Sequence, residues 1–453
     1  MFGCVRGLAT RAGPDAFALV GSALRRKLAQ QGIRIPTEIQ SITIPRLLGT
    51  QPNGRRVDAM VAVAETASGK TLSYLLPILR RFEQNGSQAL VLVPSIELME
   101  QLRLVTESLG HKCAVLSPKL KMSGFVPPDA AVCVSTPLLI NLNEGWVYDK
   151  IIPRMALLVF DEADWAVSRF SNYTQKILEN LRLSRKRHRP TPAVLYTGAT
   201  IPSLAKKSPG ALIQYVHRGK VERVQSEKAH KLPSNLDLVF EKFDDKPENM
   251  RLDVFPQIRN ILKSRKRDRT IIFVNSSQTL LSLVKYLSLY SKDLPSVHQL
   301  SKELTEGERL HVLRECCDPK KKGAFVIITT DIASRGIDFA HVSMVISVEF
   351  PTDAITFIHR AGRCARSGIS GKVISFCNPT HEYLVDAIQK KIQAQESLDS
   401  VFSRNRSLRN NLRRYKNRKL KKVKTRQATI SHNDSLKTKT ESNAPIVYQS
   451  LFS

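Results

Sequence analysis

Short apolar runs recur along the chain, with helical patterns of apolar positions between them. In the first half they fall at 59–64, 89–93, 114–116, 131–134, 156–160 and 194–196. In the second half they fall at 270–274, 325–328, 344–348 and 373–376. Runs of this length between turn residues predict buried parallel strands. Strand–helix alternation in both halves predicts an α/β fold of two parallel-sheet domains in tandem. The stretch 219–247 breaks the rhythm. It is charged and polar, contains Pro233 and Pro247, and reads as a linker. The expected division is therefore a first domain over 17–218, a linker over 219–247, a second domain over 248–395 and a tail over 396–453. The chain has no internal repeat of solenoid length.

The strongest local signal is AVAETASGKTLSYLLP. An apolar strand runs into a small-residue loop, and Lys70-Thr71 opens a helix. This is the logic of a phosphate-binding loop, in which main-chain N–H groups and a helix N-terminus face an anion. Lys70 supplies a cation for the β- and γ-phosphates, and the Thr71 hydroxyl can ligate Mg²⁺. The general pattern places glycine six residues before the lysine, where this chain has Ala64.

A second signal is LLVFDEAD, residues 157–164. Carboxylates at the tip of a parallel strand lie where open α/β sheets bind ligands. Asp161 can hold the Mg²⁺ shared with Thr71, and Glu162 can position or deprotonate an attacking water. On its own, such a run is also compatible with a solvated acidic turn. A third signal is HRAGRCARSG, residues 359–368, where Arg360, Arg363 and Arg366 recur every three residues. On a helix-like turn they share one side and suit a γ-phosphate whose charge develops in the transition state. A solvated basic turn is the alternative. Upstream, in TTDIASRGID, Gly336 permits close main-chain approach and Asp331 can pair with an arginine.

Charge narrows the partner. Lys+Arg is 70 against 40 for Asp+Glu, giving +30 and a pI near 10.0. Such an excess points to a polyanion: RNA, DNA or the ribosome surface. Residues 404–426 hold twelve Lys or Arg and no acid, yet the remainder still carries +18. That basic tail reads either as a phosphate-backbone anchor or as a solubilising or targeting segment. No strongly amphipathic basic helix points to a membrane surface. No run approaches the ~18 apolar residues of a membrane span. The seven cysteines form no CxxC pair, which argues against a zinc site or a disulfide scaffold. Residues 1–16 carry two arginines and one acid, a composition compatible with a mitochondrial presequence and equally with any disordered start.

Together these motifs resemble the DEAD-box ATP-dependent RNA helicases over roughly residues 17–378. Asp161-Glu162-Ala163-Asp164 spells the namesake motif. GIRIPTEIQ (32–40) is similar to the Q motif, AETASGKT (64–71) to the family phosphate loop and VPSIELMEQ (93–101) to the PTREL segment. STP (135–137), GAT (198–200), IIFVNSSQT (271–279), TTDIASRGID and HRAGRCAR stand for the remaining motifs. The resemblance implies two RecA-like domains that close over ATP, Mg²⁺ and one RNA strand, in an RNA-dependent ATPase that melts short helices locally. It assigns Ala64, Glu65, Thr66, Ala67, Ser68, Gly69, Lys70 and Thr71 to the nucleotide. Gln40 would read the adenine edge, Phe17 would stack on the base and Asp338 would contact the ribose. Arg363 and Arg366 would be the arginine fingers. Pro94, Glu97, Thr136, Thr329 and Gly336 would lie on the RNA sugar-phosphate path. The family is mostly monomeric.

Three positions depart from the family. Ala67 replaces a glycine, Ile96 the arginine of PTREL and Gly198 the serine of SAT. If position 67 needs positive φ, alanine costs about 1–2 kcal/mol there. These changes keep open a nucleotide-dependent RNA clamp or assembly factor with little turnover. Glu65 and the phosphate-loop wording look most like mitochondrial members linked to large-ribosomal-subunit assembly. Ribosomal RNA, a pre-ribosomal particle and the mitochondrial matrix are the corresponding expectations, with a nucleolar helicase as the alternative.

Overall fold

The computed structural model describes residues 15–49, 57–116, 126–142, 147, 151–169, 173–174, 176–180, 192–201, 209–243, 250–317, 323–331, 336–365 and 370–401. Most of the 1–16 segment, Arg366 and nearly all of the 396–453 tail lie outside them.

Two all-parallel sheets form the frame. The first has seven strands in the order β3-β4-β2-β5-β6-β1-β7. They are β1 (Ala59–Val63), β2 (Gln88–Leu92), β3 (Lys112–Val115), β4 (Ala130–Ser135), β5 (Met155–Phe160), β6 (Ala193–Gly198) and β7 (Glu222–Gln225). The second has six, in the order β10-β11-β9-β12-β13-β8. They are β8 (Leu236–Lys242), β9 (Arg269–Phe273), β10 (Ser296–Leu300), β11 (Phe325–Thr329), β12 (Met344–Ser347) and β13 (Gly371–Cys377). β1, β4, β6, β11 and β12 are buried at every position, as central strands covered on both faces must be.

The linker over 219–247 is corrected. β7 pairs with β1 in the first sheet and β8 pairs with β13 in the second, so only the residues between Gln225 and Leu236 join the two. β10 also lacks a counterpart in the apolar runs. All three are edge strands, half open to solvent, and carry charged or polar residues that a central strand would exclude.

Six helices position the site: α1 (Ser22–Gln30), α2 (Glu38–Leu48), α3 (Lys70–Asn85), α4 (Ile96–Ser108), α5 (Glu306–Cys317) and α6 (Ala354–Ala361). α2 starts at a capping box, with Thr37 and Gln40 exchanging side-chain and main-chain bonds. α4 starts at Ser95, whose hydroxyl accepts from the Leu98 N–H. α3 buries Tyr74, Leu75, Ile78 and Leu79, spaced three and four apart as one apolar face requires. One apolar cluster runs from Leu98 and Leu102 of the first unit into Val312 and Ile337 of the second. The two units are therefore packed against each other. Among the described residues no helix is long and apolar enough to cross a membrane.

Candidate active site

The loop after β1 is held from two sides. Thr37 donates its hydroxyl to the Ser68 carbonyl at 2.7 Å, and Gln40 Nε2 donates to the Gly69 carbonyl at 3.1 Å. Gln40 Oε1 accepts from the Thr37 N–H at 2.9 Å. Both ends of that amide are thus engaged, and Gln40 acts here as a brace of the loop. Phe17 is 1% exposed and packs in the apolar cluster with Val20 and Leu24. Its ring offers no open face to a base in this arrangement, contrary to the stacking role.

Lys70 is buried, and its Nζ donates to the carbonyls of Ala64 at 3.0 Å and Glu65 at 2.8 Å. Burial pulls its pKa down, against the opposing pull of Glu162 and Asp161. Ala67 has φ +62°, the left-handed conformation in which alanine is strained. Glu65 Oε2 accepts from the Ser226 hydroxyl at 2.7 Å, tying the loop to the connection between the sheets.

Asp161 follows β5, which β6 separates from β1. Its Oδ1 accepts from the Thr197 hydroxyl at 2.5 Å and the Glu162 N–H at 2.9 Å. Its Oδ2 accepts from the Tyr74 hydroxyl at 2.9 Å. Burial, then the neighbouring Glu162, raise the Asp161 pKa, outweighing those hydrogen bonds. Glu162 sits at φ +48° and is 5% exposed. Its Oε2 and the Ser68 hydroxyl are buried without a partner among the described residues. Buried polar atoms are rarely left this way, and here they fit a bound ligand or water. The Thr71 hydroxyl and Asp161 carboxylate are hard oxygen donors that suit Mg²⁺.

The second unit closes against these loops. Asp164 Oδ2 accepts from Thr200 and pairs with His359 Nε2 at 2.9 Å. A Cβ added to Gly362 would fall 2.0 Å from the Thr66 hydroxyl, so only glycine fits there. Arg363 follows α6 and donates to the carbonyls of His359 at 3.1 Å and Ile337 at 2.7 Å. Arg360 does not share its side with Arg363, and this corrects the three-arginine reading. It lies within α6, 1% exposed, and donates to Asp331 Oδ1 at 2.8 Å, Asn275 Oδ1 at 2.6 Å and the Glu349 carbonyl at 3.0 Å. Its guanidinium also covers the Phe273 ring. The anticipated arginine pairing of Asp331 is this one. The helix ends at Ala361, so the three-residue period does not continue on one face.

The residues assigned to RNA are mostly engaged within the protein. Glu97 is bonded by Arg309 across the junction. The Thr136 hydroxyl accepts from the Leu139 N–H and caps the helix Pro137–Leu142. The Thr329 hydroxyl donates to the Leu300 carbonyl. Pro94 is buried. Gly336 has φ +68°, and a Cβ there would lie 2.6 Å from Leu98, so its close approach is to the first unit. Exposed Asp338 donates its N–H to Gln101 Oε1 at 3.0 Å. Gly198 borders Ile201 and Asp164, with a Cβ there 3.0 Å from the Ile201 side chain.

Sequence reasoning missed Tyr74, Gln101, Thr197 and Arg309. Helical spacing could have found two of them: Tyr74 is four residues after Lys70 and Gln101 four after Glu97, each pair on one face. Arg309 carries no local signal, because its partner is 212 residues away in sequence.

Comparison with known proteins agrees with this geometry. Residues 37–207 match the DEAD/DEAH box helicase family, and residues 253–368 match the helicase conserved C-terminal domain. The chain is 32% identical over 393 residues to probable ATP-dependent RNA helicase DDX28 of Homo sapiens, covering 78% of this chain and 67% of that protein. It is 27% identical over 448 residues to DEAD-box ATP-dependent RNA helicase 39 of Arabidopsis thaliana, covering 92% and 67%. Mss116p bound to single-stranded RNA and AMP-PNP superposes with TM-score 0.70 at 19% identity, covering 82% of this chain and 76% of that one. S. cerevisiae Dbp5 bound to RNA and ADP-BeF3 gives 0.66 at 24% identity, covering 83% and 93%. These two structures show a shared fold.

Proposed function

This chain belongs to the DEAD-box ATP-dependent RNA helicases, and from that membership we propose that it hydrolyses ATP to remodel short RNA duplexes. The observation that carries the proposal is the junction itself. The phosphate loop, the Asp161-Glu162 turn and the Arg363 turn meet there, with Thr66 against Gly362.

In this reading Lys70 leaves the Ala64 and Glu65 carbonyls to meet the β- and γ-phosphates. Thr71 and Asp161 would hold Mg²⁺, which would neutralise phosphate charge when bound. Glu162 Oε2, buried and unpartnered among the described residues, accepts from the attacking water and orients it. Arg363 supplies positive charge from the second unit, and Arg366 is assigned the same part from its motif. Ser68 and Gly69 present the loop that Gln40 braces. Because the side chains of Glu97, Thr136 and Thr329 are engaged, the RNA path near them is formed mainly by main chain. That suits recognition of a sugar-phosphate backbone rather than of sequence. The boundary between the two RecA-like units lies between Gln225 and Leu236. Ribosomal RNA in the mitochondrial matrix is the proposed setting, supported by the phosphate-loop wording, the N-terminal composition and the +30 charge.

The test is steady-state ATP hydrolysis with and without single-stranded RNA, in the wild type and Glu162→Gln. RNA-stimulated turnover lost in the variant is the expected result. Absence of turnover with ATP still bound would favour the second reading, a nucleotide-dependent RNA clamp. The φ of Ala67 supports that reading.

A further inference from the structure

Tyr74 lies in the AVAETASGKTLSYLLP stretch with no role given to it above, yet it holds one of the two groups assigned to the metal. Its ring is fully buried on α3, one turn beyond Lys70. The phenol donates to Asp161 Oδ2 at 2.9 Å. The other Asp161 oxygen is held by Thr197 and the Glu162 N–H. The carboxylate is therefore fixed from both ends, and Tyr74 alone supplies the side-chain bond on the Oδ2 side among the described residues.

A phenol has one proton. Tyr74 places it on Asp161 Oδ2, so this hydroxyl joins α3, the helix that opens at Lys70-Thr71, to the carboxylate that follows β5.

Resting on the ATPase reading, we propose that Tyr74 is a positioning residue for Mg²⁺. It fixes the Asp161 carboxylate through its hydroxyl and so sets the Mg²⁺ concentration at which nucleotide binds tightly, without touching nucleotide itself. Phenylalanine would keep the packing and remove the hydrogen bond to Asp161. Tyr196 provides a control, since it is another buried phenol on the neighbouring strand, bonded to His217 at 2.8 Å.

The experiment follows binding of a fluorescent ATP analogue while Mg²⁺ is titrated, in full-length wild type, Tyr74→Phe and Tyr196→Phe. In Tyr74→Phe the Mg²⁺ midpoint is expected to rise about tenfold, the effect of losing one hydrogen bond to a charged group. Affinity measured in EDTA should stay at the wild-type value, and Tyr196→Phe should keep the wild-type midpoint. Hydrolysis by Tyr74→Phe should recover at saturating Mg²⁺. An unchanged midpoint overturns the proposal. So does an equal loss of affinity in EDTA, which would make the phenol a support of the loop rather than of the metal ligands. A wild type that binds no nucleotide removes the ATPase reading and this inference together, an outcome distinct from the other two.

Discussion

Glu97 and Arg309 are joined by a 2.6 Å ion pair, although one lies on α4 of the first unit and the other on α5 of the second. Glu97 is 4% exposed, so removing its partner strands a charge in the interior. Breaking a buried pair costs about 3–5 kcal/mol. Here the cost falls on closure, because the two partners lie on different units. Arg309→Ala should enlarge the radius of gyration measured by small-angle scattering and slow RNA-stimulated turnover. The swap Glu97→Arg with Arg309→Glu should recover part of both. A wild-type radius in Arg309→Ala would place the closing contact elsewhere.

Ala67→Gly should stabilise the protein by about 1 kcal/mol, because the position already has φ +62° and its methyl is exposed. Nothing packed is lost. The measurements are the melting temperature and the turnover number. A rise in both would show that the alanine limits the enzyme, whereas greater stability with unchanged turnover would confine its effect to folding.

The Asp161 carboxylate makes stability depend on pH. Burial and Glu162 raise the Asp161 pKa above its ordinary 3.8. A raised carboxyl binds its proton more tightly in the folded chain than in the unfolded one. Stability therefore falls as pH rises from the unfolded pKa through the folded one, and the deficit persists above it. Asp161→Asn should melt higher than the wild type at pH 7, and the gap should shrink as pH falls through the folded pKa toward 4. A gap independent of pH would assign the effect to hydrogen bonding instead.

Residues 404–426 carry twelve cations. Deleting 404–453 should weaken RNA binding and flatten its dependence on salt, while leaving the maximal ATPase rate near wild type. Filter-binding titrations at several salt concentrations would show this. An unaltered slope would make the tail a targeting or protein-docking segment.

Central strands were legible in the sequence because burial on both faces leaves a continuous apolar signature. The edge strands β7, β8 and β10 were not, since solvent on their open side tolerates Glu222, Asp237 and His298. The phosphate loop and the Asp161-Glu162 turn could be read because each is local and ends an apolar run. Arg360 was misplaced because a three-residue spacing says nothing about where α6 stops. Glu97 and Thr329 show a different limit. Their motifs are short, but the groups that engage their side chains come from far along the chain. The strained φ of Ala67 was anticipated from the family's glycine, and geometry supplied the angle.

The meeting of Thr66 and Gly362 leaves no room for even one carbon. A methyl there would work as a doorstop, holding the halves ajar while each kept its own shape. The protein's capacity to shut thus depends on something its most conspicuous residues do not provide: an atom missing from the second half, at the spot where the first half must land.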